Sequence, residues 1–332
     1  MPFWLYCRGL LLMLIMGSRT TFLLGHPHAH GVPYYFPVVF ALKSTLGFLA
    51  LLLLAAIVGI ISRARRISVI PDKVRSHWRV LVIGCFVFLT ACLLSRLDIS
   101  IRHFMIPIAL LVLMLAPVPR MTSALPQRHV LQALTAALVL SCFSPVLLAY
   151  PYLFPFVNGL AFGYPAYYVV NDSNVSWNEA LPEVERFVRQ MQLRAIKLDW
   201  ASLSDPALVV PEAQIWDCQA PADRDAGEWV AVTAVSILEN HNCGYLQQYP
   251  HRQLAGGAFY VFKLPKPIPP AGTRGGPPLP PECKIMWGMP FDLRTWAVNV
   301  ERHPERFAVE MQNLMQKFQQ QSQQQGEKRE RK

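Results

Sequence analysis

Residues 34–62 read YYFPVVFALKSTLGFLALLLLAAIVGIIS, and only Lys43, Ser44 and Thr45 interrupt the apolar run before the unbroken segment 50–61. A hydrocarbon core of about 30 Å is crossed by about 20 helical residues, so this stretch predicts a transmembrane helix over about 36–61. It opens on aromatics suited to a membrane interface and closes on Arg63, Arg65 and Arg66. Lys43 falls about two helical turns inside the aromatic end, where a charge is costly unless an anionic group meets it.

The same pattern recurs outward from this stretch. Residues 80–94, 104–117 and 130–148 are the next apolar runs, giving four spans. The segment 62–79 carries Arg63, Arg65, Arg66, Lys73, Arg75 and Arg79 against the single acid Asp72, which places it in the cytoplasm. The segment 95–103, with Arg96, Asp98, Arg102 and His103, is then external, and both ends of the region 34–150 face outward. The second and third spans are short for a straight crossing. Either the loop between them dips below the headgroups or the spans borrow loop residues.

The chain has 332 residues, 53% of them hydrophobic, and a mean hydropathy of +0.27, with the apolar residues concentrated before Pro151. The fold class is therefore an α-helical integral membrane bundle of about four spans with a small external α/β domain. Residues 1–33 form an external loop. Within it, 3–24 is hydrophobic but carries Arg8 and Arg19; Leu10–Met16 could be the core of a signal-like segment, without an obvious small-residue cleavage site, or the stretch could be an amphipathic helix lying on the membrane surface, the reading that agrees with the resemblance given below. Residues 151–264 form the external domain: a helix over 179–192 with apolar residues at helical spacing, strands over 195–198, 228–237 and 258–264, and a short helix over 244–249. Residues 265–281 are a Pro/Gly linker, and 282–332 hold a C-terminal helix and a charged tail.

The net charge of +10 lies beside the spans and in the tail, with no nucleic-acid recognition motif, which argues for topology rather than nucleic-acid binding. Of seven cysteines, Cys218 and Cys243 could pair if their part of the chain meets an oxidising compartment, leaving Cys283 odd. No P-loop, dinucleotide loop, nucleophile elbow or zinc-protease helix occurs, so no cofactor is assigned. His26, His28 and His30 alternate and could hold a divalent metal, though Pro27 and the lack of a nearby carboxylate favour a solvated loop. Asn171 and Asn174 fit Asn-x-Ser, and Ser176 or Asn178 suits a helix cap.

Lys43, Arg96, Arg102 and His103 are positive groups at the outer face, where topology does not call for them. They can snorkel to headgroups, or they can hold a phosphate or pyrophosphate at the outer leaflet, arginine as a bidentate fork and lysine as a point charge. Asp98, between Arg96 and Arg102, suits an ion pair better than proton abstraction.

With these residues in place, the chain resembles the C-terminal portion of a bacterial family-39-type glycosyltransferase, of the GT-C fold and related to the dolichyl-phosphate-mannose protein mannosyltransferases. The resemblance runs over about 6–264. It rests on Tyr34-Tyr35-Phe36-Pro37 followed by Ala41-Leu42-Lys43-Ser44-Thr45-Leu46, and on Arg102-His103-Phe104-Met105-Ile106-Pro107. It rests further on Tyr152-Leu153 with Phe156-Val157-Asn158, on Asp172-Ser173-Asn174-Val175 with Trp177, and on Phe259-Tyr260-Val261-Phe262-Lys263-Leu264. The resemblance implies a plasma-membrane enzyme moving a sugar from a polyprenyl-phosphate-linked donor to an acceptor outside, with Lys43, Arg102 and His103 contacting the lipid phosphate. The family's catalytic acid belongs to an N-terminal half that this sequence does not contain. One signature also departs: Ser176, Trp177, Asn178 and Glu179 stand where the family continues with Asp, Trp, Gly and Gln. The expectation is a fragment inactive alone, with a missing N-terminal half as a partner. The alternatives are a non-catalytic membrane-anchored binding module and a transporter component.

Overall fold

A computed structural model describes residues 21–28, 31–67, 70–71, 74–95, 98–200, 205–218, 225–240 and 243–266, with single positions at 302, 303, 305, 309, 312 and 316. The chain divides into two compact units between Ser176 and Trp177.

The first unit is mainly helical. Its stretch 34–62 is not one helix. Helix α1 (Tyr35–Lys43) ends at extended Ser44, and α2 (Leu46–Ala64) begins anew with the Thr45 hydroxyl accepting the Phe48 N–H at 3.3 Å. A threonine that caps a helix this way competes with helix continuation, which is why the polar triplet breaks the run. Pro37 is tolerated because it stands in the first turn of α1, where its missing N–H has no intrahelical acceptor. Next come α3 (Arg75–Leu94), then α4 (Met105–Met114) led in by the turn Ile101–Phe104, and α5 (Val118–Ser123). Helices α6 (Arg128–Ser141) and α7 (Phe143–Ala149) follow, and a short α8 (Ala166–Val169) lies beyond them.

Four helical stretches are long and apolar enough to cross a membrane: Leu46–Ala64, Arg75–Leu94, Ile101–Ser123 and Arg128–Ala149. The first expected span is thus shortened and displaced, since 35–43 turns away as α1. The second and third lengthen by taking up loop residues. Much of their outward surface is apolar, with Leu94 77% and Leu148 86% exposed. Inside, Leu51, Leu54, Val58 and Leu125 form a core. Gly47 allows α2 to approach α6 closely, since a Cβ there would stand 2.1 Å from Ser141 Oγ and 2.9 Å from the Leu138 carbonyl.

Residues 21–28 form a hairpin of β1 (Thr21–Leu23) and β2 (His26–His28), and Leu23 bridges Val170. The end of the expected surface helix over 3–24 is therefore a strand, and residues 1–20 lie outside the described residues.

The second unit is a mixed sheet. Helix α9 (Leu181–Gln190) buries Leu181, Val184, Phe187 and Val188 on one face, and the Phe187 ring meets Trp229 edge-on at 5.3 Å. Strands β3 (Ile196–Asp199), β4 (Ala213–Ile215), β5 (Trp229–Thr233), β6 (His251–Leu254) and β7 (Phe259–Lys263) lie in the order β4-β3-β5-β7-β6. The β3 pairings are parallel, and those of β7 with β5 and β6 are antiparallel. Cys218 and Cys243 form a disulfide. Most of the linker and the C-terminal segment, with Cys283, lies outside the described residues.

Candidate functional site

The site is built around the C-terminal end of α1. A helix leaves its last carbonyls without intrahelical donors. Here Asn158 supplies them: its Nδ2 donates to the Ala41 carbonyl at 2.5 Å and to the Ser44 carbonyl at 2.7 Å, and its backbone N–H to the Leu42 carbonyl at 2.9 Å. Lys43 turns inward beside it. Its Nζ donates to the Phe154 carbonyl and, at 2.7 Å, to the Asn174 carbonyl. Burial lowers its pKa to about 7. The two carbonyls favour the charged form in return, since an ammonium donates where an amine would have to share.

Asn174 is the second tie, 1% exposed. Its Nδ2 donates to the Tyr35 hydroxyl at 2.9 Å, the Asn171 carbonyl at 3.0 Å and the Ile99 carbonyl at 3.4 Å. Its Oδ1 accepts the Ile101 N–H at 2.9 Å. Asn174 therefore holds the start of α1 and the turn that carries Arg102 and His103 through its side-chain amide, and Lys43 through its backbone carbonyl. Packing reinforces this: the Phe36 ring stacks on Phe104 at 5.6 Å, and Phe40 lies 5.7 Å from the same ring.

Arg102 and His103 are exposed, with Arg102 Nε 3.5 Å from His103 Nε2. The structure thus anchors Lys43 and the Arg102–His103 turn on one residue, Lys43 facing inward and the other two outward. Arg96 lies outside the described residues.

Asp98 was expected to form an ion pair with Arg96 or Arg102, and Arg96 lies outside the described residues. Its carboxylate is 1% exposed, and Oδ2 accepts the Val32 N–H at 2.6 Å while Oδ1 has no hydrogen-bond partner. Burial raises its pKa to about 6, against the pull of the Val32 N–H. Its carbonyl accepts from the Thr21 hydroxyl at 2.9 Å.

Two of the three clustered histidines stand on a strand rather than in a solvated loop. His26 and His28 stand on β2, His28 meets Tyr34 edge-on at 6.1 Å, and His30 lies outside the described residues. Asn171 and Asn174 are buried, so neither Asn-x-Ser is presented for glycosylation. The residue flanking helix α9 at its N-terminus is Ala180, not the expected Ser176 or Asn178. In the second unit, an Asp199 carboxylate oxygen and the sulfurs of Cys218 and Cys243 lie within 4.8 Å of one another. The sulfurs are already bonded to each other, so they are not thiolate ligands.

Asn158 and Asn174 hold this region together, a part that the sequence reading did not give them. Each has a hydrogen-bond partner more than a hundred residues away in sequence, Ala41 for Asn158 and Tyr35 for Asn174, which no local pattern discloses. No family model matches this chain, and neither a curated protein nor a solved structure matches it.

Proposed function

We propose that this chain is a membrane-embedded part of a glycosyltransferase that takes a sugar from a polyprenyl-phosphate-linked donor and passes it to an acceptor outside the plasma membrane. The observation that carries this reading is the shared anchoring of Lys43 and the Arg102–His103 turn on Asn174. An ammonium has three donors. Two of those on Lys43 meet carbonyls, which leaves one for a phosphate oxygen, while exposed Arg102 stands on the turn that Asn174 also holds and is of the residue type that binds phosphate by a bidentate fork.

Topology supports the side. Arg63, Arg65, Arg66, Arg75, Arg79, Arg120 and Arg128 are all exposed and flank the opposite ends of the apolar helices, which by the positive-inside rule puts Lys43 outward. The disulfide of the second unit agrees with an oxidising exterior. Chemistry needs an acid from elsewhere. Asp98 and Asp72 are the only acids between residues 34 and 150, and the Asp98 carboxylate is buried against the Val32 N–H. A separate N-terminal half is the partner this reading requires. The buried Asp98 equally favours a second reading, a non-catalytic membrane-anchored binding module.

The test is sugar transfer from a radiolabelled polyprenyl-phosphate donor by the chain reconstituted with its N-terminal half, comparing wild type with Lys43→Ala and Arg102→Ala. Each substitution is expected to lower donor use about tenfold or more, as for loss of a charge-assisted hydrogen bond. Donor use unchanged in both variants would reject the phosphate assignment. Donor binding without transfer in any reconstitution would favour the module.

A further inference from the structure

Among the described residues of the first unit, Ser62, Asp98 and Asn171 are buried with polar side-chain atoms that have no hydrogen-bond partner, and the last two lie on neighbouring segments. Asn171 is 2% exposed, yet neither its Oδ1 nor its Nδ2 has a partner. Asp98 is 1% exposed, and its Oδ1 has none either. Native interiors leave few such groups, and each calls for a bound water or ion when it occurs. A carboxylate removed from water with a single donor on one oxygen calls for one most strongly.

Two routes bring together the backbone segments that carry these side chains. The Nδ2 of Asn174 donates to both the Ile99 and the Asn171 carbonyls, which sets the residue after Asp98 beside Asn171. Independently, Thr21 donates to the Asp98 carbonyl while its strand, two residues on, bridges Val170, the neighbour of Asn171. Ser173 also reaches the Ile99 carbonyl, at 3.5 Å.

We propose that Asp98 and Asn171 form an internal calcium site. The unpartnered acceptors are a carboxylate oxygen and an amide oxygen, and oxygen ligands of this kind select a hard cation. Among the described residues, histidine, cysteine and acidic side chains do not gather here in threes, which disfavours zinc or copper. Calcium accepts irregular shells that include neutral carbonyls, whereas magnesium demands near-octahedral geometry and keeps its waters. With one carboxylate the affinity falls in the weak class of extracellular sites, about 10⁻⁴–10⁻³ M. The ion would lock the β1–β2 hairpin to the segment leading into Arg102. This site stands independently of the sugar-transfer reading.

The test is equilibrium dialysis of the full chain in detergent micelles against radioactive calcium. Wild type is expected to bind about one ion per chain in the stated range. Asp98→Asn is expected to weaken binding at least tenfold. Asn171→Asp adds a second carboxylate and is expected to tighten binding about tenfold, a gain that misfolding cannot produce. No binding by wild type up to about 10 mM calcium, as for a site that holds only water, would overturn the proposal. So would an Asn171→Asp variant that binds no tighter than wild type.

Discussion

Replacing Asn174 with alanine tests the tie on which the rim depends. The side chain makes three hydrogen bonds of 2.9–3.0 Å and a weaker one of 3.4 Å, at 1% exposure. Their partners are unequal in what they lose. The Ile99 carbonyl retains Ser173, and the Asn171 carbonyl retains the Asn174 backbone N–H at 3.4 Å. The Ile101 N–H loses the acceptor that positions it. A buried donor left unpaired costs about 1–3 kcal/mol, and each bond simply exchanged for water about 0.5–1.5 kcal/mol. Taking one bond of the first kind and one or two of the second gives a destabilisation of about 2–4 kcal/mol. Reversible unfolding of the full chain in mixed micelles measures it. Tyr35→Phe, which removes only the hydroxyl, is expected to cost about 1 kcal/mol and to be non-additive with Asn174→Ala, because the pair shares one bond. An Asn174→Ala variant within about 0.5 kcal/mol of wild type would refute the reasoning, since that is the range of an ordinary surface change.

Two further outcomes follow from the same geometry. Lys43 has a folded-state pKa lowered to about 7, whereas the unfolded chain keeps the proton to about 10.5, so unfolding takes up a proton between these values and stability rises with pH across that window; the charge needed for phosphate is lost in the same direction, so donor affinity is expected to fall as pH rises through 7, and an affinity that is flat from pH 6 to 9, against a Lys43→Arg control, would contradict this. Removing the disulfide by the paired change Cys218→Ala and Cys243→Ala opens a loop of 25 residues and is expected to lower stability by about 3–4 kcal/mol, with a matching fall in melting temperature of the second unit.

What the sequence disclosed depended on how local each signal was. Helix α9 was legible because Leu181, Val184, Phe187 and Val188 recur at helical spacing, and β5 and β7 because their apolar runs are long enough to stand out. Strands β4 and β6 were not. The first has three residues, and the second reads His-Arg-Gln-Leu with three of four exposed; both lie at sheet edges, where no alternating apolar face is required. The break at Ser44–Thr45 was hidden for the opposite reason, since hydropathy summed over a window ignores a two-residue change of backbone. Parity allowed Cys218 and Cys243 to pair, but only the packing of the sheet brings their Cα atoms to 5.7 Å. Lys43 announced itself as a cation in an apolar run, yet its acceptors at Phe154 and Asn174 are set by tertiary contact alone.

That last residue joins the structural and functional readings. A lysine used only to staple carbonyls could be replaced by a shorter neutral donor, and its burial would be a needless expense against a pKa pulled to about 7. A lysine used only for phosphate would sit where α1 presents it to solvent, with Arg102. The contacts to the Phe154 and Asn174 carbonyls are observed, and the proposed function adds the phosphate after them. Two carbonyls fix the direction of the side chain before any ligand arrives, so little rotamer entropy remains to be lost on binding, and an incoming anion restores full protonation by favouring the charged form. If the proposed function holds, a pre-oriented, half-neutral ammonium would make binding depend on the ligand's charge. An uncharged isoprenoid alcohol would gain nothing from Lys43, whereas its phosphate ester would draw a proton onto it and gain a charge-assisted bond of about 1.5–3 kcal/mol.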